Sequence, residues 1–314
     1  MPLHMIDLDL PEGIPLQVGI SSGSDARVWC SGNWTEARPV SETDVYYTGS
    51  LTKQVVAVAI FMLEREGALS LDQPATHLLS DLPAYFGSIS LRQLLHHTAG
   101  LPGPKESEAI AARLGHMHWT NQAAFDVLHE SNAPETVPGT IYSYSNLGYV
   151  VLAATIGACG VPFHEFARLR LFRPSGMNDT EVRSTPPDSP RTPQIELFDK
   201  LPLSTGDGGM WSSARDVMHW GAAMNADAFG VFEKMATPGQ LLDGTVLNYG
   251  GGVGIREFQG VPMFSHGGSF GPATAKLIWV PERQLVIAAV ASGMGTEDLA
   301  NLVDNSLALA MRVA

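Results

Sequence analysis

The chain has 314 residues, 45% of them hydrophobic and only 16% charged, which provides for one large domain or two intimate ones and excludes a disordered chain. A formal net charge of −13 and a pI near 5.1 argue against nucleic acid and anionic membrane surfaces as partners, and the acidity itself reads as solubility.

The opening run, residues 1–9, has neither the basic region nor the apolar core of a secretory signal. No stretch is long enough and apolar enough to span a membrane. The expectation is a cytoplasmic protein. Residues 16–21 and 26–30 are short β-type runs on either side of the turn cluster at 22–25. Cys30 and Cys159 form no C-x-x-C pair, which gives no support to zinc or redox chemistry; two buried free thiols are expected. Residues 50–66 form a helix that is apolar nearly all round (Val55, Val56, Val58, Ile60, Phe61, Leu63), so it should lie in the middle of the molecule, with Gly67 just past its end.

From about 70 to 200 the spacing is mainly helical, at 91–97, 120–130, 147–158 and 163–171. Pro102, Pro104, Pro134, Pro138 and the prolines of 186–193 interrupt it. Another amphipathic helix starts at Ser212 and runs to about Met224. Strand character returns at 251–258, 261–265, 273–280 and 285–291, followed by a closing helix over 297–313. Strands at both ends with helices between them predict an α+β fold: one antiparallel sheet built from both ends of the chain, flanked by helices, with a mainly helical insertion. The expected division is a sheet part at 1–72 and 201–314, a helical part at 73–200, and the active site in the cleft between them.

Three groups of residues carry chemistry. Ser50 and Lys53 sit three apart at the helix start, on one face and nearly touching. A serine nucleophile needs a group to take its proton, and an amine partly buried in an apolar helix is a usable base. Lysine is rare here, and of Lys53, Lys105, Lys200, Lys234 and Lys276 only Lys53 has a serine three residues before it. The second group is Tyr144-Ser145-Asn146. Its phenol can shuttle a proton and its amide can hold both the lysine and a substrate carbonyl, while Tyr142 and Tyr149 read as packing residues. The third is Ser265-His266-Gly267-Gly268-Ser269, where the glycines permit close backbone approach. The N–H groups of Ser269 and Ser50 could then form an oxyanion hole, although His-Gly-Gly by itself is a common turn.

Together these stretches resemble the serine β-lactamase and penicillin-binding-protein superfamily, in its class C β-lactamase, DD-peptidase and esterase branch. The likeness runs from about residue 15 to 312. Leu91-Arg92-Gln93-Leu94-Leu95-His96-His97-Thr98-Ala99-Gly100-Leu101-Pro102 is similar to its RxLLxHTSGLP segment, residues 171–177 to its IFxPLGM, and residues 208–216 to its GGLxSTxxDL. The resemblance implies Ser50 as acylated nucleophile, Lys53 as its partner, Tyr144 as general acid/base, and Asn146 as the residue that orients Lys53 and substrate. His266, Gly267 and Gly268 occupy the place of a Lys-Thr-Gly motif. A histidine is largely neutral near pH 7, which disfavours a substrate that needs its carboxylate gripped there. The chain therefore looks more like the family's D-aminopeptidases, D-amino-acid amidases and esterases. Asp207, in a D-aminopeptidase-like run, is open to pairing with a substrate ammonium or, more simply, to capping a turn. His97 reads as a buried hydrogen-bonding residue.

The expected protein is a serine hydrolase acting on a small-molecule or peptide ester or amide, without cofactor or metal. The same residues also suit an acyltransferase with an amine or alcohol acceptor. A module that binds β-lactams or peptides and stays acylated is the third possibility. Oligomeric state is not legible.

Overall fold

The structure is a computed structural model that describes residue 3 and residues 6–131, 133–189, 191–192 and 203–312. The expected part boundary at 200/201, Pro190, Pro193 and Val313 lie outside the described residues.

In chain order, β1 (Leu16–Ser22) and β2 (Asp25–Ser31) form a hairpin, β3 (Asn33–Thr35) and β4 (Arg38–Pro39) a short ribbon, and β5 (Tyr46–Tyr47) leads to a 3-10 turn at Gly49–Leu51. That turn runs directly into α1 (Thr52–Arg65). The helical stretch holds α2 (Leu91–Leu95), α3 (Pro104–Arg113), α4 (Asn121–Glu130), α5 (Asn146–Ala158) and α6 (Phe163–Phe166). Next come β6 (Glu181–Val182), β7 (Met210–Ser212), α7 (Ala214–Asn225) and α8 (Phe232–Ala236), and then β8 (Gly254–Phe258), β9 (Val261–Phe270), β10 (Ala273–Val280), β11 (Leu285–Ser292) and α9 (Thr296–Ala310).

The main sheet has the order β2-β1-β11-β10-β9-β8 and every pairing in it is antiparallel, so the two ends of the chain meet at the β1–β11 ladder, as expected. It is covered on both faces, which explains the unbroken apolar run of β11. Val286, Ala288 and Val290 join the cluster that includes α1, α5 and α7. Leu285, Ile287, Ala289 and Ala291 join the one formed with α9. Gly221 lets α7 lie against the sheet, since a Cβ there would come within 2.4 Å of Val286.

α1 is buried along nearly its whole length, as its all-round apolar pattern requires, and Gly67 takes a positive φ of 75° just past its end. Three expectations need correction. Pro104 does not break a helix but begins one, α3; at the first helical position its missing N–H costs nothing. Cys30 is exposed, because β2 is an edge strand, and Cys159 is half-buried at the end of α5. The strand expected at 261–265 is too short: β9 continues five residues beyond that end and so carries the whole His-Gly-Gly sequence. Among the described residues no single helix is long and apolar enough to cross a membrane.

Candidate active site

Ser50 lies in the 3-10 turn that opens the α1 helix, where the first N–H groups have no partner within the helix. Gly49 makes the turn possible with φ +52°. Lys53 follows one turn later and is fully buried, more so than its sequence context suggested. Its Nζ donates to three oxygens: Ser50 Oγ at 3.0 Å, Asn146 Oδ1 at 2.9 Å and the Asp207 carbonyl at 2.7 Å. It also lies 5.0 Å from the Tyr144 ring centroid and 5.6 Å from that of Tyr149, within cation–π range. Tyr144 Oη donates to Ser50 Oγ from the other side at 2.9 Å. Asn146 is the first residue of α5, so the N-terminus of that helix brings the second motif against the first.

β9 supplies the third side. Its closeness to the Ser50 turn is set by Gly268, where a Cβ would fall 1.9 Å from the Thr48 carbonyl oxygen and 2.9 Å from the Ser50 nitrogen. Ser50, Tyr144, Asn146, His266, Gly267, Gly268 and Ser269 all border one open cleft of about 490 Å³. Lys53 is beneath it, reaching the cleft only through Ser50 and Asn146.

His266 points inward. Its Nδ1 lies 2.6 Å from the Gly267 carbonyl and its Nε2 3.1 Å from Tyr249 Oη. This pattern assigns the ring proton to Nδ1, with Nε2 accepting from the phenol. Burial, reinforced by the charge of Lys53, pushes its pKa down to about 3, so the imidazole is neutral at pH 7. His97 is 2% exposed, and burial likewise holds it well below the usual histidine value. Both folded values lie below that of an unfolded histidine, so their neutral forms stabilise the fold above about pH 6.5, and that contribution is lost as pH falls. For His266 the loss at pH 5 is about 2 kcal/mol. Thermal unfolding followed from pH 7 to pH 5 should therefore show a falling Tm, with these two histidines taking up protons on unfolding.

Asp207 behaves as a turn residue: its carboxylate accepts from Ser204 Oγ at 2.7 Å and from Trp119 Nε1 at 3.0 Å. Tyr149 is a packing residue, with Oη on the Leu95 carbonyl at 2.8 Å. Tyr142 is less so, being 38% exposed. Sequence reasoning missed Tyr249, which no motif marks. It also missed two charged groups lining the cleft, Glu108 on α3 and Lys276 on β10. Lys276 stands directly across the ladder from Gly267, and burial lowers its pKa. Its signal was available in the sequence, as a lone charge in an apolar strand run.

The family described as Beta-lactamase matches residues 25–311. The chain belongs to it. Penicillin-binding protein 4* of Bacillus subtilis (strain 168) is 26% identical over 285 residues, covering 81% of this chain and 62% of that protein. The D-alanyl-D-alanine-carboxypeptidase/endopeptidase AmpH of Escherichia coli (strain K12) is 29% identical over 181 residues, covering 54% and 46%. The chain thus spans only about half to three-fifths of the length of these β-lactamase-family relatives. The structure of D-amino acid amidase from Ochrobactrum anthropi SV3 superposes with a TM-score of 0.77 at 21% identity, covering 95% of this chain and 96% of that one, which shows the shared fold. The superfamily is one of serine hydrolases.

Proposed function

We propose that this chain is a serine hydrolase that cleaves an ester or amide through an acyl-enzyme on Ser50. The observation that carries the reading is that Ser50 Oγ is held by both Lys53 Nζ and Tyr144 Oη, at 3.0 and 2.9 Å, on the floor of an open cleft. The reaction starts from the form in which the Lys53–Tyr144 pair has given up one proton: Ser50 Oγ attacks the substrate carbonyl and passes its own proton to that vacant place on the pair. The carbonyl oxygen, now an anion, sits between the N–H groups of Ser50 and Ser269. Collapse of the tetrahedral adduct breaks the bond to the leaving group, which takes a proton from Tyr144, and leaves Ser50 acylated. Water then gives a proton to Tyr144 and its oxygen to the acyl carbon, and Ser50 recovers its hydrogen. Asn146 fixes Lys53 and faces the cleft, where its amide N–H₂ can hold a substrate carbonyl.

We read the cleft as lying between the sheet part expected at 1–72 and 201–314 and the helical part expected at 73–200, on the described residues of each. His266 stands where a lysine would grip a carboxylate, and it is neutral and already bonded on both nitrogens. This favours esters and amides without a carboxylate at that position, including those of D-amino acids, over substrates that need one gripped there. Acyl transfer to an amine or alcohol would use the same acyl-enzyme.

Treatment with a fluorophosphonate should add one adduct to the intact mass, and peptide mapping should locate it on Ser50. Turnover of p-nitrophenyl esters retained in Ser50→Ala would sink the proposal.

A further inference from the structure

His97 directly follows the α2 helix and its cap residue, with a left-handed φ of +57° that is unusual for a residue with a side chain. Its own N–H is bonded to the Leu94 carbonyl at 3.3 Å. Its carbonyl accepts the N–H of Ser143 at 2.8 Å, and its Nδ1 accepts the N–H of Ser145 at 3.2 Å. The peptide N–H groups on both sides of Tyr144 therefore end on this one residue. The imidazole also packs on the Tyr144 ring itself, with centroids 4.3 Å apart and planes at 35°. Behind it the ring is wedged against Tyr149 and Tyr249, both at 5.1 Å.

We propose that His97 is a positioning residue for Tyr144: it clamps the backbone before and after the tyrosine and stacks on its ring, which fixes the phenol at Ser50. This rests on the reading of Tyr144 as the acid/base. The left-handed backbone is what lets one residue present its carbonyl and its Nδ1 to the same short loop. A neutral ring is required, because Nδ1 must be unprotonated to accept from Ser145, and burial keeps it so. A displacement of about 1 Å in a catalytic group costs on the order of 100-fold in rate, so the clamp's effect should appear in turnover rather than in binding.

The test is a double-mutant cycle on kcat and KM for p-nitrophenyl butyrate, with near-UV circular dichroism to establish folding. His97→Ala should lower kcat about 100-fold and change KM by less than about threefold. His97→Asn should stay within about tenfold of the parent, because asparagine tolerates the left-handed conformation and its Oδ1 falls near the place of Nδ1. In a Tyr144→Phe background, His97→Ala should cost no more than about a further threefold, since the group it positions is already gone. Equal losses in both backgrounds would show a general structural role and overturn the inference. If His97→Ala does not fold, His97→Asn decides: a folded variant within tenfold supports the clamp, and one about 100-fold slower overturns it. Tyr144→Phe at the parent rate would remove the reading of Tyr144 and this inference together, whereas additive losses remove this inference alone.

Discussion

Replacing Lys53 by methionine should lower kcat/KM for ester hydrolysis by about 10⁴-fold, equivalent to about 5 kcal/mol of lost transition-state stabilisation. Methionine follows the lysine stem as far as Cε but brings no proton and no charge. Ser50 then keeps only the hydrogen bond from Tyr144, and that phenol loses the ammonium 5.0 Å from its ring centre. Asn146 Oδ1 and the Asp207 carbonyl lose their shared donor, so Asn146 is no longer tied to the α1 helix. Fluorophosphonate labelling of Ser50 in the variant should slow in parallel with turnover. A folded variant that keeps more than about a tenth of the parent rate would mean that the proton leaves Ser50 by another route.

Gly268→Ala should damage both fold and activity, while Gly267→Ala one position away should leave the fold intact. At 268 the new methyl meets Thr48 O at 1.9 Å and Ser50 N at 2.9 Å, both backbone atoms that cannot swing aside. β9 must move away from the Ser50 turn, which we expect to cost about 3 kcal/mol as overpacking. The same movement carries the Ser269 N–H away from that of Ser50, and if these are the oxyanion donors proposed above, losing one should cost about 10²–10³ in kcat. At 267 the nearest atoms would be 3.6 and 3.8 Å away, ordinary contact distances, so stability should change by less than about 0.5 kcal/mol. Chemical denaturation and kcat for the two variants, measured side by side, check the contrast. Similar behaviour of the pair would show that close approach at 268 is not what sets the cleft.

Much of this arrangement was legible in the sequence because its parts are local. A serine and a lysine one turn apart on an apolar helix declare their own proximity, and β11 and α1 declare their burial by composition. The α+β order followed from where strand and helix periods fall along the chain. What stayed hidden depends on the fold as a whole. Tyr249 lies before three glycines without a motif, and only the folded chain brings it to His266. Lys276 showed itself as a lone charge in an apolar run, but that β10 places it opposite Gly267 at the cleft is a pairing that no local pattern encodes. Cys30 was misjudged because a strand-like run does not say whether the strand is central or at an edge. Pro104 was misjudged because a proline that ends one segment can equally begin the next.

The β1–β11 ladder also has a consequence for biosynthesis. β1 leaves the ribosome well before its partner on that side, paired from Leu16↔Ala291 to Ser22↔Leu285, which emerges ~270 residues later. Until then the nascent hairpin of β1 and β2 offers an unsatisfied edge to any neighbouring chain. A truncation that removes β11 should therefore not yield a smaller working enzyme. It should give a polypeptide held by chaperones or lost to aggregation, with Ser50 and Lys53 both present and no sheet to bring β9 across to them.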